Sequence, residues 1–127
     1  MNTTARNAYL ASSVTTASPQ QLLIMLCDRL ALDVQRAADA LRTGQPGQAH
    51  PHLLHAQEIV LELAASLNVD VWEGAAGLAS LYDYLHHELV RANINKDLRA
   101  TEFCLDIVTT LRDTWREAAG SLLAESA

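Results

Sequence analysis

The sequence predicts an all-α protein: an antiparallel up-down-up-down four-helix bundle preceded by a mobile N-terminal arm. Half of the residues are hydrophobic, and that mass is mostly Leu and Ala, which lose little or no side-chain freedom in a helix. Val and Ile are sparse, and no stretch alternates apolar with polar residues as a half-buried strand does. Four runs repeat apolar residues at steps of three and four, separated by breaks containing Gly, Pro or Asn. A chain of 127 residues suits one domain with a single core.

Residues 1–17 are rich in Ser, Thr, Asn and Ala and show little periodicity, which predicts the arm; residues 18–127 form the bundle. At the junction Ser18 is placed to cap a helix, Pro19 suits its first position and Gln21 completes a capping box. The first helix is expected over 19–43, with Leu22, Leu26, Leu30, Val34, Ala37 and Leu41 as its stripe. Thr43-Gly44-Gln45-Pro46-Gly47 makes a turn. The second helix then starts between Gly47 and Pro51 and is set at 49–67, because Pro is tolerable only in a first turn. Its stripe is Leu53, Ala56, Val60, Leu63 and Leu67. Asn68 ends it, and Asp70 with Glu73 offers a capping box for a third helix over 71–93. That helix carries Val71, Ala75, Leu78, Tyr82, Leu85, Leu89 and Ala92, and Asn93-Ile94-Asn95 forms the last turn. The fourth helix, 96–123, carries Leu98, Thr101, Cys104, Val108, Leu111, Trp115, Ala118 and Leu122. Four such helices with short turns pack side by side at shallow angles, in a bundle about 35 Å long.

The formal net charge is −6, from fifteen acids against nine bases, of which Lys96 is the one lysine. An acidic surface disfavours nucleic acid, and no basic run marks a membrane-surface helix. Between Asn7 and Cys27 there is no charge, yet the Ser, Thr and Gln content is too polar for a membrane span. Cys27 and Cys104 lie far apart, in no metal or redox spacing, each within an apolar helical pattern. With no signal-peptide layout at the start, a reducing cytoplasm is the expected compartment.

The second and third helices carry more apolar residues than a core-facing stripe requires. Leu54, Ile59, Leu61 and Ala64 flank the second stripe, Trp72, Leu81 and Tyr84 the third, and Ile107 adjoins Val108 on the fourth. Gly74 and Gly77 suggest a close approach. The surplus fits an exposed groove for an amphipathic helix, and it fits a wide core stripe equally well.

The order of several motifs carries a resemblance. Tyr9 followed by Val14-Thr15-Thr16-Ala17-Ser18-Pro19 and an apolar helix resembles the opening of the FliS family. Ala56-Gln57-Glu58-Ile59-Val60-Leu61-Glu62-Leu63 is similar to its second helix. Leu81-Tyr82-Asp83-Tyr84-Leu85, then Leu89 and Ala92-Asn93, is similar to its third, and Trp115 sits at its late Trp. Cys27 stands where the family usually has an aromatic residue, and Arg29-Leu30 replaces a usual Gly-Ala pair. The resemblance implies a cytoplasmic export chaperone, a monomer or weak homodimer when free, without catalytic activity, cofactor or metal. Its implied partners are the C-terminal helical segment of flagellin and the export-gate component FlhA. It further implies that Tyr9 and Val14 on the arm shield the apolar surface until flagellin arrives. Ile59, Leu63, Leu67, Leu78, Leu81, Tyr82 and Leu85 are the expected groove, about half of them shared with the core. Asn93 is expected to bond backbone groups of the partner or of a turn.

Two histidine groups test other chemistries. His50, His52 and His55 share a helix start without a facing Cys or carboxylate pair, so surface histidines are expected rather than metal ligands. His86 or His87 on the third helix resembles the exposed His of a histidine phosphotransfer bundle, the alternative function. The Lys and Gly that follow such a His are missing, and Glu88 would repel a phosphoryl group. Phosphate loops, nucleophile elbows and H-E-x-x-H are absent from the sequence.

Overall fold

The computed structural model describes residues 18–68, 70 and 73–126, with side chains through 120. Four helices follow one another: α1 (Pro19–Arg42), α2 (Pro46–Ser66), α3 (Ala75–Asn95) and α4 (Leu98–Ser126). Helix α1 packs on α2 and α4, and α3 packs on α2 and α4, which closes a four-membered ring. Cross-helix pairs fix the directions. Asp28 and Arg42 of α1 reach Arg116 and Glu102 of α4, so the two run oppositely. His50 and Gln57 of α2 reach Asn93 and the Leu89 carbonyl of α3 in the same crossed order. The architecture is the expected antiparallel four-helix bundle.

Local chemistry sets the helix ends. Ser18 Oγ accepts the Gln21 amide at 3.1 Å while Gln21 Oε1 accepts the Ser18 amide at 2.9 Å, the expected capping box. At the other end of α1, Gly44 takes φ 71°, and the amides of Gly44 and Gln45 return to the carbonyls of Leu41 and Ala40. This Schellman closure needs a left-handed residue, which glycine adopts without strain. Helix α2 starts at Pro46, earlier than expected, which moves Pro51 into the helix interior. Pro51 has no amide hydrogen, so the carbonyl of Gly47 four residues back lacks its helical donor, a cost confined to the second turn of the helix.

Two expected ends shift. Helix α3 begins at Ala75 on an N-cap Gly74 with no side-chain cap, not at 71 on Asp70. The Asp70 amide is bonded instead to Asn68 Oδ1 at 3.1 Å, an Asx turn that competes with helix initiation. Asn93-Ile94-Asn95 is helical, and the chain turns at Lys96 in the left-handed region, φ 49°. Lys96 Nζ donates to both the carbonyl and the side-chain oxygen of Asn93, which offsets the strain of a non-glycine residue there. Gly77 is exposed, and a Cβ built on it meets nothing within 4 Å, so it serves no close approach.

The core follows the expected stripes over most of their length, with Cys27 and Ile59 added to them. Leu30, Val34, Leu53, Val60, Leu63, Leu85, Leu89 and Val108 are fully buried, with Cys27, Cys104 and Tyr82 among them. Among the described residues, no helix is long and apolar enough to cross a membrane.

Candidate functional site

Each helix of a ring has one edge turned to each neighbour. The α2-facing edge of α3 holds Asn93, bonded to His50. On the opposite edge Leu81, Tyr84 and Glu88 follow at i, i+3 and i+7, forming one ridge. The α1-facing edge of α4 holds Glu102 and Arg116. Its opposite edge presents Phe103 and Ile107, one turn apart. These two ridges therefore border the seam between α3 and α4, where packing is thinnest of the four seams. Tyr84 is 47% exposed and Phe103 50% exposed, with Leu81 and Ile107 half-buried beside them. An apolar seam open to water along both helices can receive another helix.

Other exposed apolar side chains are more scattered. Met25 and Leu32 lie two turns apart on the outer face of α1, and Leu54 and Leu61 on the outer face of α2, with Ile94 near the end of α3. Leu32 also lines a hollow between α1 and α4, but with the polar and charged neighbours Asp28, Gln35, Arg112 and Arg116.

The structure redistributes the residues expected to line a groove. Ile59, Leu63, Tyr82 and Leu85 are buried in the core. Leu67 and Leu78 pack half-buried against it, and Leu81 alone of the group borders the α3–α4 seam. Ile59 is no flank: α2 is covered by α1 on one side and α3 on the other, which widens its buried arc. Asn93 is buried and bonds Lys96 and His50, so it anchors the α3–α4 turn to the start of α2. Tyr9 and Val14, like Trp72, lie outside the described residues. Phe103 is hidden in the sequence because it directly precedes the stripe residue Cys104. Its one visible signal is the i, i+4 spacing to Ile107.

The histidines depart from a simple surface role. His55 Nδ1 is hydrogen-bonded to Asp33, a carboxylate on α1 with no exposed surface, which Arg29 also contacts at 3.3 Å. Sequence spacing gives no hint of that partner, because 22 residues separate the pair. His87 Nδ1 lies 2.8 Å from the Asp83 carbonyl and so donates to its own helix. Among the described residues, no group of three or more His, Cys, Asp or Glu side chains is placed to hold a metal ion.

Three buried acids are held neutral. Burial, with Asp28 adding to it, pushes the Cys27 thiol up to about 11. Burial and then the Glu88 charge push Cys104 up to about 12. Burial and then Cys27 push the Tyr82 phenol up to about 12. The folded chain therefore keeps protons that the unfolded chain releases from about pH 9 upward. This contribution to stability is complete below that pH and is lost as pH rises through the folded-state values. Stability is expected to fall by about 2 kcal/mol between pH 7.5 and 9.5. Urea denaturation at the two pH values measures it, and a Cys27→Ala/Cys104→Ala variant should show less than half of that fall.

The model of the family described as Flagellar protein FliS matches residues 1–122. The Flagellar secretion chaperone FliS of Bacillus subtilis (strain 168) is 34% identical over 114 residues, covering 90% of this chain and 85% of that protein. The protein of the same name from Salmonella typhimurium is 32% identical over 108 residues, covering 84% and 80%. A crystal structure of a flagellar chaperone from bacteria superposes with a TM-score of 0.73 over 95% of this chain and 99% of that one; at 19% identity it shares the fold. The family match spans nearly the whole chain and both relatives agree with it, so the chain belongs to the FliS family of flagellar secretion chaperones.

Proposed function

We propose that the chain binds the C-terminal segment of flagellin in the cytoplasm, prevents its premature polymerisation and delivers it to the flagellar export gate, where FlhA is the receiving component. The observation that supports this most directly is the open α3–α4 seam, with Tyr84 and Phe103 each about half exposed. Full burial of a half-exposed side chain of that size contributes about 1 kcal/mol. Several such contacts offset part of the ordering cost of a segment that folds on binding. The bundle supplies a rigid template and the partner supplies the missing helix. No reacting group is needed, in keeping with a family of chaperones rather than enzymes.

Titration of the chain with full-length flagellin is expected to give one-to-one binding. Flagellin lacking its last forty or so residues, about the length of one coupled-folding segment, should not bind. Equal binding of both forms would contradict the proposal.

A further inference from the structure

The apolar ridges of the α3–α4 seam are joined by a charged pair on α3, Glu88 with Arg91. Glu88 lies one turn beyond Tyr84 on the α3 ridge, and its side chain is only 18% exposed. Burial and then the Glu88 charge raise the Cys104 thiol on α4, in keeping with a carboxylate on the α4-facing edge of α3. Oε2 accepts from Arg91 Nη2 at 2.8 Å. Among the described residues Oε1 accepts no hydrogen bond. The two members of the pair differ in exposure: Arg91 is 57% exposed and lies at the rim, whereas the Glu88 carboxylate keeps only a small opening to water.

A carboxylate tolerated in an open seam becomes expensive once an apolar partner excludes the remaining water, unless the partner brings a donor. The free oxygen and the acidic balance of the chain select the same kind of donor, a cation. We infer that Glu88 is the specificity-determining residue of the α3–α4 groove: it selects an occupant helix that carries one Lys or Arg between apolar anchors, facing the carboxylate. The anchors seat against Leu81, Tyr84, Phe103 and Ile107. A helix with an acidic residue at the central position is repelled, and one with an apolar residue strips water from Oε1 without supplying a donor; both are selected against. This deepens the function proposed above and rests on it.

The test uses the intact chain, flagellin, and flagellin variants in which each Lys or Arg of the terminal segment is replaced singly by Gln. Glu88→Gln is expected to lower affinity about tenfold at low salt, with much of the difference removed at high salt. One flagellin substitution should lower affinity for the natural chain by a similar factor and have no further effect on Glu88→Gln, the coupling of a direct pair. Circular dichroism checks that Glu88→Gln remains helical. If Phe103→Asp abolishes binding while Glu88→Gln binds as well as or better than the natural chain, the selector role is overturned and the groove stands. The selector role is equally overturned if no flagellin substitution couples to Glu88. If Phe103→Asp also binds normally, the groove itself is wrong and the inference falls with it.

Discussion

His55→Leu is expected to destabilise the bundle by about 3 kcal/mol, although His55 lies on an outer edge of α2 and is nearly half exposed. Asp33 is the reason. Its carboxylate has no exposed surface, sits on α1 against α2, and is held by His55 and by Arg29 one turn away. Both partners reach water, so only the carboxylate is trapped. Leu in place of His55 keeps water out and removes the principal hydrogen bond, leaving a buried charge with one peripheral partner. The asymmetry gives a sharper expectation. Asp33→Leu added to His55→Leu should restore at least about 2 kcal/mol, because an apolar pair needs no solvation and Arg29 can turn outward. Chemical denaturation of the two single variants and the double variant measures this. Additive losses would show that the carboxylate is not the source.

The second large effect concerns binding. Tyr84→Asp/Phe103→Asp is expected to lower affinity for flagellin by about 100-fold or more, because two charges then face the desolvated centre of the interface. Both side chains are about half exposed in the free chain, so the denaturation midpoint should change little. Met25→Asp/Leu32→Asp on the outer face of α1 is the matched control, with two exposed apolar residues away from the α3–α4 seam. It should leave affinity within about threefold of the natural chain. If the control loses as much as the seam variant, the partner contacts the bundle without regard to the α3–α4 edge.

What the sequence reveals follows from how far each effect reaches. The core stripes are legible because apolar periodicity is local: Leu30, Val34, Leu53, Val60, Leu85, Leu89 and Val108 are buried as expected. The Ser18–Gln21 box is legible for the same reason, since its two hydrogen bonds span three residues. The start of α3 departs from expectation through a competition just as local, in which Asn68 takes the Asp70 amide. Edges are a different matter. Whether an apolar residue beside a stripe faces a neighbour or solvent depends on the ring order of the helices, which no single helix encodes. Ile59 and Phe103 occupy comparable flanking positions, yet Ile59 is buried between α1 and α3, whereas Phe103 borders the thin seam. The Asp33–His55 bond is hidden likewise: an Asp within an apolar stretch of α1 gives no sign of its partner on α2.

Hydrogen exchange of the chain, with and without the terminal segment of flagellin, tests the account most directly. Added protection is expected along α3 around residues 81–91 and along α4 around 100–110, with the outer face of α1 unchanged. Protection confined to α1 and α2, or none at saturating flagellin, would contradict a partner seated between α3 and α4.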